Sequence, residues 1–378
     1  MPAHVPLLDA DPRLFGGFTW IRVHKWGWGG VVSPAALRGE RMARQRLVGE
    51  PFPDLRSCVG TLGAVQFQEF EDSLWSLARR TQDRPARDAI ATEIAEGGLV
   101  RHHVLRPTWH VVRVEDLGWM LDLTADRIRA QMRPQLRTTG LLEDRDRLVG
   151  HVGEIVEAAA APLTRKEIGD ALRERGVDLT GQALGHVTFS AELDKVVTTG
   201  PRRGNWDTFV PYAARIPSTD LDRDEALVRL ATMYLAGHAP ATAHDFAWWA
   251  GLTVTDAKRA FALAEVDEIG PVSSDGTTFV LSLFDELVIA YQDRSAYEVP
   301  LASGGTIDVW GGNLALLDGV VAATWRRRKA TRKADPVLLE FTALRPLSSF
   351  DRDRINTDAA TFIDHLDTPV DLQWKDAQ

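Results

Sequence analysis

The chain has 378 residues, 44% of them hydrophobic, so it is long enough to bury sizeable cores and to divide into about two to four domains. Its 53 acidic and 44 basic residues give a formal net charge of −9, which excludes DNA binding through bulk positive charge and leaves only local basic patches. No apolar run reaches the length of a membrane span, and the single cysteine, Cys58, excludes an internal disulfide. We therefore expect a cytoplasmic protein that needs no membrane.

The N-terminal segment is rich in tryptophan, glycine and proline, and it shows neither helical nor strand periodicity from Met1 to about Gly39. We expect residues 1–40 to be an extension outside the fold. The organised part of the chain is then expected to begin near Arg41.

The segment from Arg41 to Val112 shows the order of a winged helix. Phe70, Leu74 and Leu77 recur at helical spacing, which predicts a helix with one face toward the core. After further helical pattern, the chain enters the β-prone run 104–112. Helices followed by a strand ribbon are typical of the winged helix, a DNA-binding variant of the helix-turn-helix.

A short sequence pattern that occurs twice suggests that this unit is repeated. Gly200-Pro201 is followed by Thr208-Phe209-Val210, and Gly270-Pro271 is followed at the same interval by Thr278-Phe279-Val280. Each pattern predicts a β-hairpin preceded by helices. In the first copy, Thr164 and Glu167 are spaced as a capping box. A repeat of about 70 residues suits tandem small domains.

After Val280 the pattern predicts strands at Ile307–Trp310, Leu314–Leu317, Val320–Trp325 and Leu338–Leu344, with Asp318-Gly319 as a tight turn and a helix over Asp351–Leu366. The predicted fold class is therefore α+β, with tandem winged-helix (helix-turn-helix) domains followed by a β-rich C-terminal domain. The predicted boundaries are 1–40 for the extension, 41–145, 146–220 and 221–283 for three winged-helix domains, and 284–378 for the β-rich domain.

Several fragments in order resemble a known family. They are Ala43-Arg44-Gln45-Arg46-Leu47, Leu62-Gly63-Ala64-Val65-Gln66-Phe67-Gln68, Ser73-Leu74-Trp75-Ser76-Leu77, Leu105-Arg106-Pro107-Thr108-Trp109-His110, Phe284-Asp285-Glu286 and Tyr291-Gln292-Asp293-Arg294. The chain resembles the bacterial winged-helix family that includes the azinomycin-resistance and interstrand-crosslink DNA glycosylases. The resemblance implies tandem winged helices closed by a β-domain. It also implies an active-site signature of Gln, an apolar residue, then Gln or Asp, which Gln66-Phe67-Gln68 matches.

The chemistry of this tripeptide follows from its side chains. In an extended segment Gln66 and Gln68 share one face, and Phe67 anchors the other face in the core. A carboxamide cannot take a proton from water as a carboxylate can, so the pair suits a bond that is already activated. An N7-alkylated purine is cationic and leaves readily, so Gln68 would orient water while Gln66 supports the cation or the water. The alternative is that both amides only hydrogen-bond backbone.

Two predicted wings offer DNA contacts. The first contains Arg106, Thr108 and His110, and the second contains Arg202, Arg203, Asn205 and Trp206. The second combines two cations for phosphate with an aromatic ring that wedges or stacks, although hairpin packing also explains Trp206. Two other basic groups are noted: Arg127, Arg129, Arg133 and Arg137, interrupted by Pro134, and Arg326-Arg327-Arg328-Lys329 with Arg332 and Lys333, for which solvated surface is the alternative.

These features favour a monofunctional DNA glycosylase that acts on damaged double-stranded DNA with no metal and no organic cofactor. The alternative is a non-catalytic winged-helix protein, such as a transcription regulator. Asp285, Glu286 and Arg294 also suggest a nuclease site, but we expect instead a buried structural link from Asp285 to Arg294.

Overall fold

The first helix lies where the sequence predicts an extension. The computed structural model describes residues 33–298, 312–328, 336–366 and 369–375. Helix α1 (Pro34–Arg44) begins after Ser33, whose side chain accepts a hydrogen bond from the backbone N–H of Ala36. Leu37 and Met42 are buried in a core shared with distant helices. The expected boundary at residue 40 is therefore corrected, because residues 33–40 pack as part of a helix. The rest of the expected extension, 1–32, lies outside the described residues.

The next six elements form a unit of three helices and a three-stranded sheet. They are α2 (Leu55–Leu62), β1 (Val65–Gln66), α3 (Phe70–Ala78), α4 (Arg87–Ala95), β2 (Leu99–His103) and β3 (Trp109–Arg113). The strand order is β1-β3-β2, with antiparallel pairing. The β-prone run 104–112 is thus not one strand. Thr108 lies in the β2–β3 connection, where Leu105 has a φ of 65° and Pro107 has no N–H to give to a ladder.

Helix α5 (Val114–Thr138) connects this unit to the next and runs without a break through Pro134. The predicted interruption is wrong. Pro134 is exposed in the second-last turn, where a proline removes one backbone hydrogen bond, and the Thr138 hydroxyl donates to the Pro134 carbonyl at 2.9 Å. The apolar side of α5 packs against the helices that follow it, and these tertiary contacts keep the helix continuous.

The second unit repeats the first. It contains α6 (Arg145–Glu157), β4 (Leu163–Thr164), α7 (Arg165–Glu174), α8 (Gly181–Leu193), β5 (Val197–Arg203) and β6 (Trp206–Pro211). The predicted capping box at Thr164 and Glu167 and the predicted hairpin over residues 200–210 are both confirmed. Its strand order, β4-β6-β5, is the order of the first sheet. The repeat therefore relates residues 55–113 to residues 145–211.

The second copy of the repeated pattern, which begins at Gly270-Pro271, does not form a hairpin. The helices that the sequence predicts before this pattern are present, as α9 (Arg223–His238), α10 (Ala243–Ala250) and α11 (Val254–Leu263). Residues 264–277 contain no strand, and β7 (Thr278–Leu281) pairs instead with β8 (Asn313–Leu317). The predicted second hairpin is wrong because the chain before β7 packs on α1. The Arg44 guanidinium donates to the Asp267 carbonyl at 2.8 Å, and the Val272 carbonyl lies against Gly39.

The C-terminal part is a five-stranded sheet with a helix on one side. It adds α12 (Glu286–Ile289), β9 (Val320–Arg328), β10 (Val337–Ala343), α13 (Ser349–Leu366) and β11 (Val370–Lys375), in the strand order β11-β10-β9-β8-β7. Asp318 and Gly319, at φ values of 53° and 77°, form the predicted two-residue turn between β8 and β9. The predicted strand Ile307–Trp310 lies outside the described residues.

Two of the hydrophobic cores contain elements that are distant from one another in the sequence. One core joins α1, α5 and α9–α11 to β7–β9, and a second joins α2, α3 and β1 to α13 and the five-stranded sheet. A third lies mainly in the second unit. The first unit is therefore built against the C-terminal sheet. Within the described ranges, no helix combines the length and the apolar character needed to cross a bilayer.

Candidate active site and DNA-facing surface

The Gln66-Phe67-Gln68 segment begins at the end of the edge strand β1, which pairs with β3. Gln66 pairs with His110, and the backbone N–H of Phe67 donates to the Trp109 carbonyl at 2.7 Å. Phe67 is completely buried, Gln66 is 4% exposed and Gln68 is exposed. The segment is thus extended, with its aromatic residue in the core.

Both glutamine side chains are held by the β2–β3 connection and its end. The Arg106 guanidinium donates to Gln66 Oε1 at 2.7 Å, and the Trp109 backbone N–H donates to Gln68 Oε1 at 3.3 Å. Because a guanidinium only donates, it fixes the orientation of the Gln66 amide and leaves the Nε2 hydrogens unused by this bond. The two carboxamides are therefore positioned from the same short piece of chain.

A buried carboxylate supports Gln66 from behind. Glu286 Oε1 accepts the backbone N–H of Gln66 at 2.7 Å, and Glu286 Oε2 accepts the Trp249 indole N–H at 3.1 Å and lies 3.4 Å from His238 Nε2. Burial acts to raise the pKa of Glu286, but the bonds from His238 and Gln66 hold it below its ordinary value. Glu286 is an enclosed anion that positions the strand, and it offers no open site for a nuclease metal.

Asp285 has a different partner from the expected one. Its carboxylate pairs with the Arg80 guanidinium at 2.6 Å, and both side chains are almost fully buried. Arg294 instead donates to the Tyr291 carbonyl at 2.8 Å. The predicted Asp285–Arg294 link is therefore wrong, although Asp285 does join distant parts of the chain.

A cleft of about 390 Å³ opens beside Gln66, and we call it the Gln66 cleft. Its walls come from β1, the β2–β3 connection, α5 and α10, with Trp248 on the α10 side. The lining residues are Gln66, Arg106, Pro107, Thr108, Arg127, Gln131, His244, Ala247, Trp248, Gly251, Leu252, Val254 and Gln292. Of the predicted site residues, the cleft brings together Gln66, Arg106 and Thr108. Gln68 lies two residues beyond Gln66, just after the end of β1, and is exposed to solvent.

Two arginine side chains lie close to the Trp248 indole of this cleft. The guanidinium carbons of Arg106 and Arg294 each lie 5.9 Å from the Trp248 ring centre. Burial lowers the pKa of Arg106 to about 10, against the opposing effect of Glu286, so Arg106 remains charged at neutral pH. The Gln66 cleft therefore combines a cationic wall with a stacking surface.

His110 has no surface for the predicted DNA contact. It is completely buried in β3, and its Nδ1 lies 3.0 Å from the Thr108 carbonyl oxygen. Burial, followed by the nearby charge of Arg106, lowers the pKa of His110 to about 3. At neutral pH it is an uncharged, enclosed ring that cannot act as a phosphate cation. The sequence prediction fails here because both faces of β3 are covered.

The β5–β6 hairpin presents the second predicted group at its tip. Trp206 is 70% exposed, and Asn205 and Arg203 are also exposed. The Arg203 guanidinium pairs with Glu167, and that of Arg202 lies 3.2 Å from Asp207 and 4.0 Å above the Phe70 ring. An exposed ion pair such as Arg203–Glu167 contributes little to stability, so phosphate oxygens can compete for the Arg203 cation.

Arg101 joins this hairpin to the glutamine strand. Its Nε donates to the Phe67 carbonyl at 2.9 Å, and its Nη1 donates to Asp207 at 2.9 Å. The same Asp207 accepts from Arg202. The β5–β6 hairpin and the Gln66–Gln68 segment are thus linked through the buried Arg101 side chain.

Sequence reasoning missed Glu286 as the support of Gln66 and Trp248 as a wall of the cleft. Both are distant from Gln66 in the chain, and no local pattern distinguishes them. Arg127 is not among the predicted site residues, but it also lines the cleft and belongs to the basic group identified along α5. In the other basic run, Arg326 and Arg328 pair with Glu340 and Arg327 pairs with Asp72, while Lys329, Arg332 and Lys333 lie outside the described residues. The described part of the chain holds no cluster of three or more metal-ligating side chains.

The chain is similar in sequence and in fold to known DNA glycosylases. A family model described as DNA glycosylase AlkZ-like matches residues 59–364. A relative from Streptomyces sahachiroi, an interstrand DNA cross-link repair glycosylase, is 27% identical over 75% of this chain and 85% of its own length. The solved structure of Streptomyces sahachiroi DNA glycosylase AlkZ aligns with a TM-score of 0.63 and 20% identity, covering 90% of this chain and 99% of that chain. At that identity the likeness shows a shared fold.

Proposed function

Because this chain belongs to the DNA glycosylase AlkZ-like family, we propose that it hydrolyses the N-glycosidic bond of N7-alkylated purines in double-stranded DNA, including those in interstrand cross-links. The observation that carries the proposal is the Gln66-Phe67-Gln68 segment, whose first residue lines the Gln66 cleft. The cross-linked substrate is supported by the name of the Streptomyces sahachiroi relative.

The proposed mechanism uses position and electrostatics in place of strong acid-base catalysis. An N7-alkylated purine is a cationic leaving group, and its departure leaves a sugar with oxocarbenium character. Gln68, which is exposed, orients the attacking water through its carboxamide. Gln66 is held by Arg106 through one lone pair of Oε1, and the second lone pair supports the developing cation or the water. A neutral, stable nucleotide is not cleaved, because neither amide can protonate a leaving base.

Duplex DNA is proposed to contact the first and second units together. Arg106 and Thr108 would act at the Gln66 cleft, and Arg202, Arg203, Asn205 and Trp206 would act at the β5–β6 tip. The Arg101 bridge between these regions supports their joint use. His110 has no part in this proposal because it is enclosed.

The two repeated units are proposed to be winged helices. Each has the order helix, strand, helix, helix and hairpin, and each has the same three-stranded sheet order, which supports this assignment. Helices α9–α11 would form a third unit in which β7 is recruited to the C-terminal sheet.

The decisive experiment measures base release from a duplex that contains N7-methylguanine. Under single-turnover conditions we expect free base and alkali-labile abasic sites from the wild type. The variants Gln66→Ala and Gln68→Ala should each lower the rate by about 10²-fold, the typical effect of losing one preorganised hydrogen-bonding group. A duplex with an N7-linked interstrand cross-link, run on a denaturing gel, tests unhooking in the same way.

Gln82→Ala serves as the matched control, because Gln82 is an exposed glutamine outside the cleft. Its rate should equal that of the wild type. Unchanged base release in the Gln66→Ala, Gln68→Ala double variant would remove the catalytic role of the pair. No release from either substrate by the wild type would overturn the proposed function.

A further inference from the structure

Three exposed arginines on α5 have side chains without a partner among the described residues. The guanidinium groups of Arg127, Arg133 and Arg137 form neither a hydrogen bond nor an ion pair with any residue in the described part of the chain. Arg129, on the same helix, pairs with Asp126 at 2.7 Å and with Asp194 at 2.9 Å. The helix thus carries both a satisfied arginine and three unsatisfied ones.

This cluster stands out against the charge of the whole protein. With 53 acidic residues against 44 basic ones, acidic partners are plentiful, and several exposed arginines elsewhere use them. Arg147 pairs with Asp144, Arg173 with Asp170 and Arg175 with Glu154. The helix dipole favours a cation in the last turn, but this explains only Arg137. A further reason is needed for three open cations on one helix.

The position of α5 supplies that reason. Arg127 lines the Gln66 cleft together with Gln131, so the helix leads directly away from the candidate active site. Arg137 is ten residues further on, which corresponds to about 15 Å along the helix axis. Arg133 and Arg137, four residues apart, share one side of the helix. The cations therefore extend over a distance that spans several phosphates of a duplex.

We infer that Arg127, Arg133 and Arg137 of α5 bind the sugar–phosphate backbone of the duplex whose damaged nucleotide occupies the Gln66 cleft. The inference rests on the proposed function for the identity of the duplex, and on charge complementarity for the contact itself. Polyanionic DNA is the occupant that fits three guanidinium groups without partners among the described residues, which begin at this cleft and continue along α5. The contact is independent of base sequence and sets the position of the duplex.

The test is the salt dependence of binding to an undamaged duplex, measured by fluorescence anisotropy. Arg133→Gln, Arg137→Gln leaves the cleft-lining Arg127 intact and removes two phosphate contacts. The slope of log K against log salt should become shallower by about 1.8, since each neutralised phosphate contributes about 0.9. The variant Arg133→Lys, Arg137→Lys keeps the charges and should keep the wild-type slope.

The control is Arg84→Gln, Arg345→Gln, which removes two other arginines whose side chains form no hydrogen bond or ion pair among the described residues. Its slope should match the wild type. An unchanged slope in the Arg133→Gln, Arg137→Gln protein, or an equal change in the control, overturns the inference. Base release by the wild type is measured in parallel. If it occurs while the slope stays unchanged, only the α5 contact fails; if it is absent while the slope falls, only the proposed function fails.

Discussion

Beneath the glutamine strand, Glu192 and His103 form a buried pair in which His103 Nδ1 lies 2.8 Å from Glu192 Oε2. The His103 ring centre is 3.8 Å from that of Trp109, whose backbone N–H holds Gln68. Burial raises the pKa of Glu192 to about 7 and lowers the pKa of His103 well below its ordinary value. The pair is therefore neutral over much of the acid range, with the carboxyl proton donated to the ring.

This pair makes stability depend on pH in a defined direction. The folded-state pKa of Glu192 is raised, so its contribution is fully present below the unfolded-state pKa and is lost as pH rises through about 7. Glu192→Gln stays neutral at every pH and still offers an N–H donor to His103. Relative to the wild type, its free energy of unfolding should rise between pH 5 and pH 8, by on the order of 2 kcal/mol. Urea unfolding at both pH values measures this, and a pH-independent difference would contradict the neutral pair.

At the scale of elements, α1 closes the core from the N-terminal side. It packs by close backbone approach, because a Cβ on Gly39 would lie 1.9 Å from the Val272 carbonyl oxygen. The same contact holds the segment that the sequence wrongly predicts as a hairpin. A helix that covers the core and directs the neighbouring chain is an integral element of the fold.

Two alanine substitutions test this helix. Gly39→Ala should push α1 away from Val272 and lower the free energy of unfolding by about 1–3 kcal/mol, the usual cost of overpacking. The control is Gly150→Ala in α6, where a Cβ meets nothing within 4 Å. It should raise stability by about 0.5–1 kcal/mol through reduced backbone entropy. Thermal melting compares the two, and equal effects at both positions would show that α1 does not pack closely on the 270–272 segment.

At the scale of the whole molecule, Arg80 and Asp285 join the first unit to the chain that follows β7. Arg80 also donates to Gln45 at 2.7 Å, so the pair connects three distant segments. Asp285 directly precedes Glu286, which holds the Gln66 backbone. The position of the candidate active site thus depends on contacts between the first unit and the chain around residues 285–286.

Breaking this pair should be costly. Arg80→Ala leaves a buried carboxylate without its cation and should lower the free energy of unfolding by about 3–5 kcal/mol. Arg80→Met, Asp285→Leu should recover much of that loss, because neither charge remains buried. Lys166→Ala breaks the exposed Lys166–Asp170 pair and should change stability by less than about 1 kcal/mol. Denaturant unfolding measures all three, and an Arg80→Ala loss as small as the control's would contradict the role of the pair.

The sequence by itself determines the features whose causes lie within a few residues. Local side-chain chemistry and periodicity predict the Thr164–Glu167 capping box, the Asp318-Gly319 turn, helices α9–α11 and the burial of Phe67. The ordered fragments around Gln66-Phe67-Gln68 likewise indicate the family, which the match over residues 59–364 confirms.

Only the tertiary structure decides which segments meet. In it, His110 is buried and Asp285 pairs with Arg80. Helix α5 continues through Pro134, and β7 pairs within the C-terminal sheet. The tertiary structure also assembles the Gln66 cleft from Trp248, Arg127 and Arg106, which no local pattern groups together. Burial and pairing depend on which surface covers a side chain, and in this fold that surface comes from elsewhere in the chain.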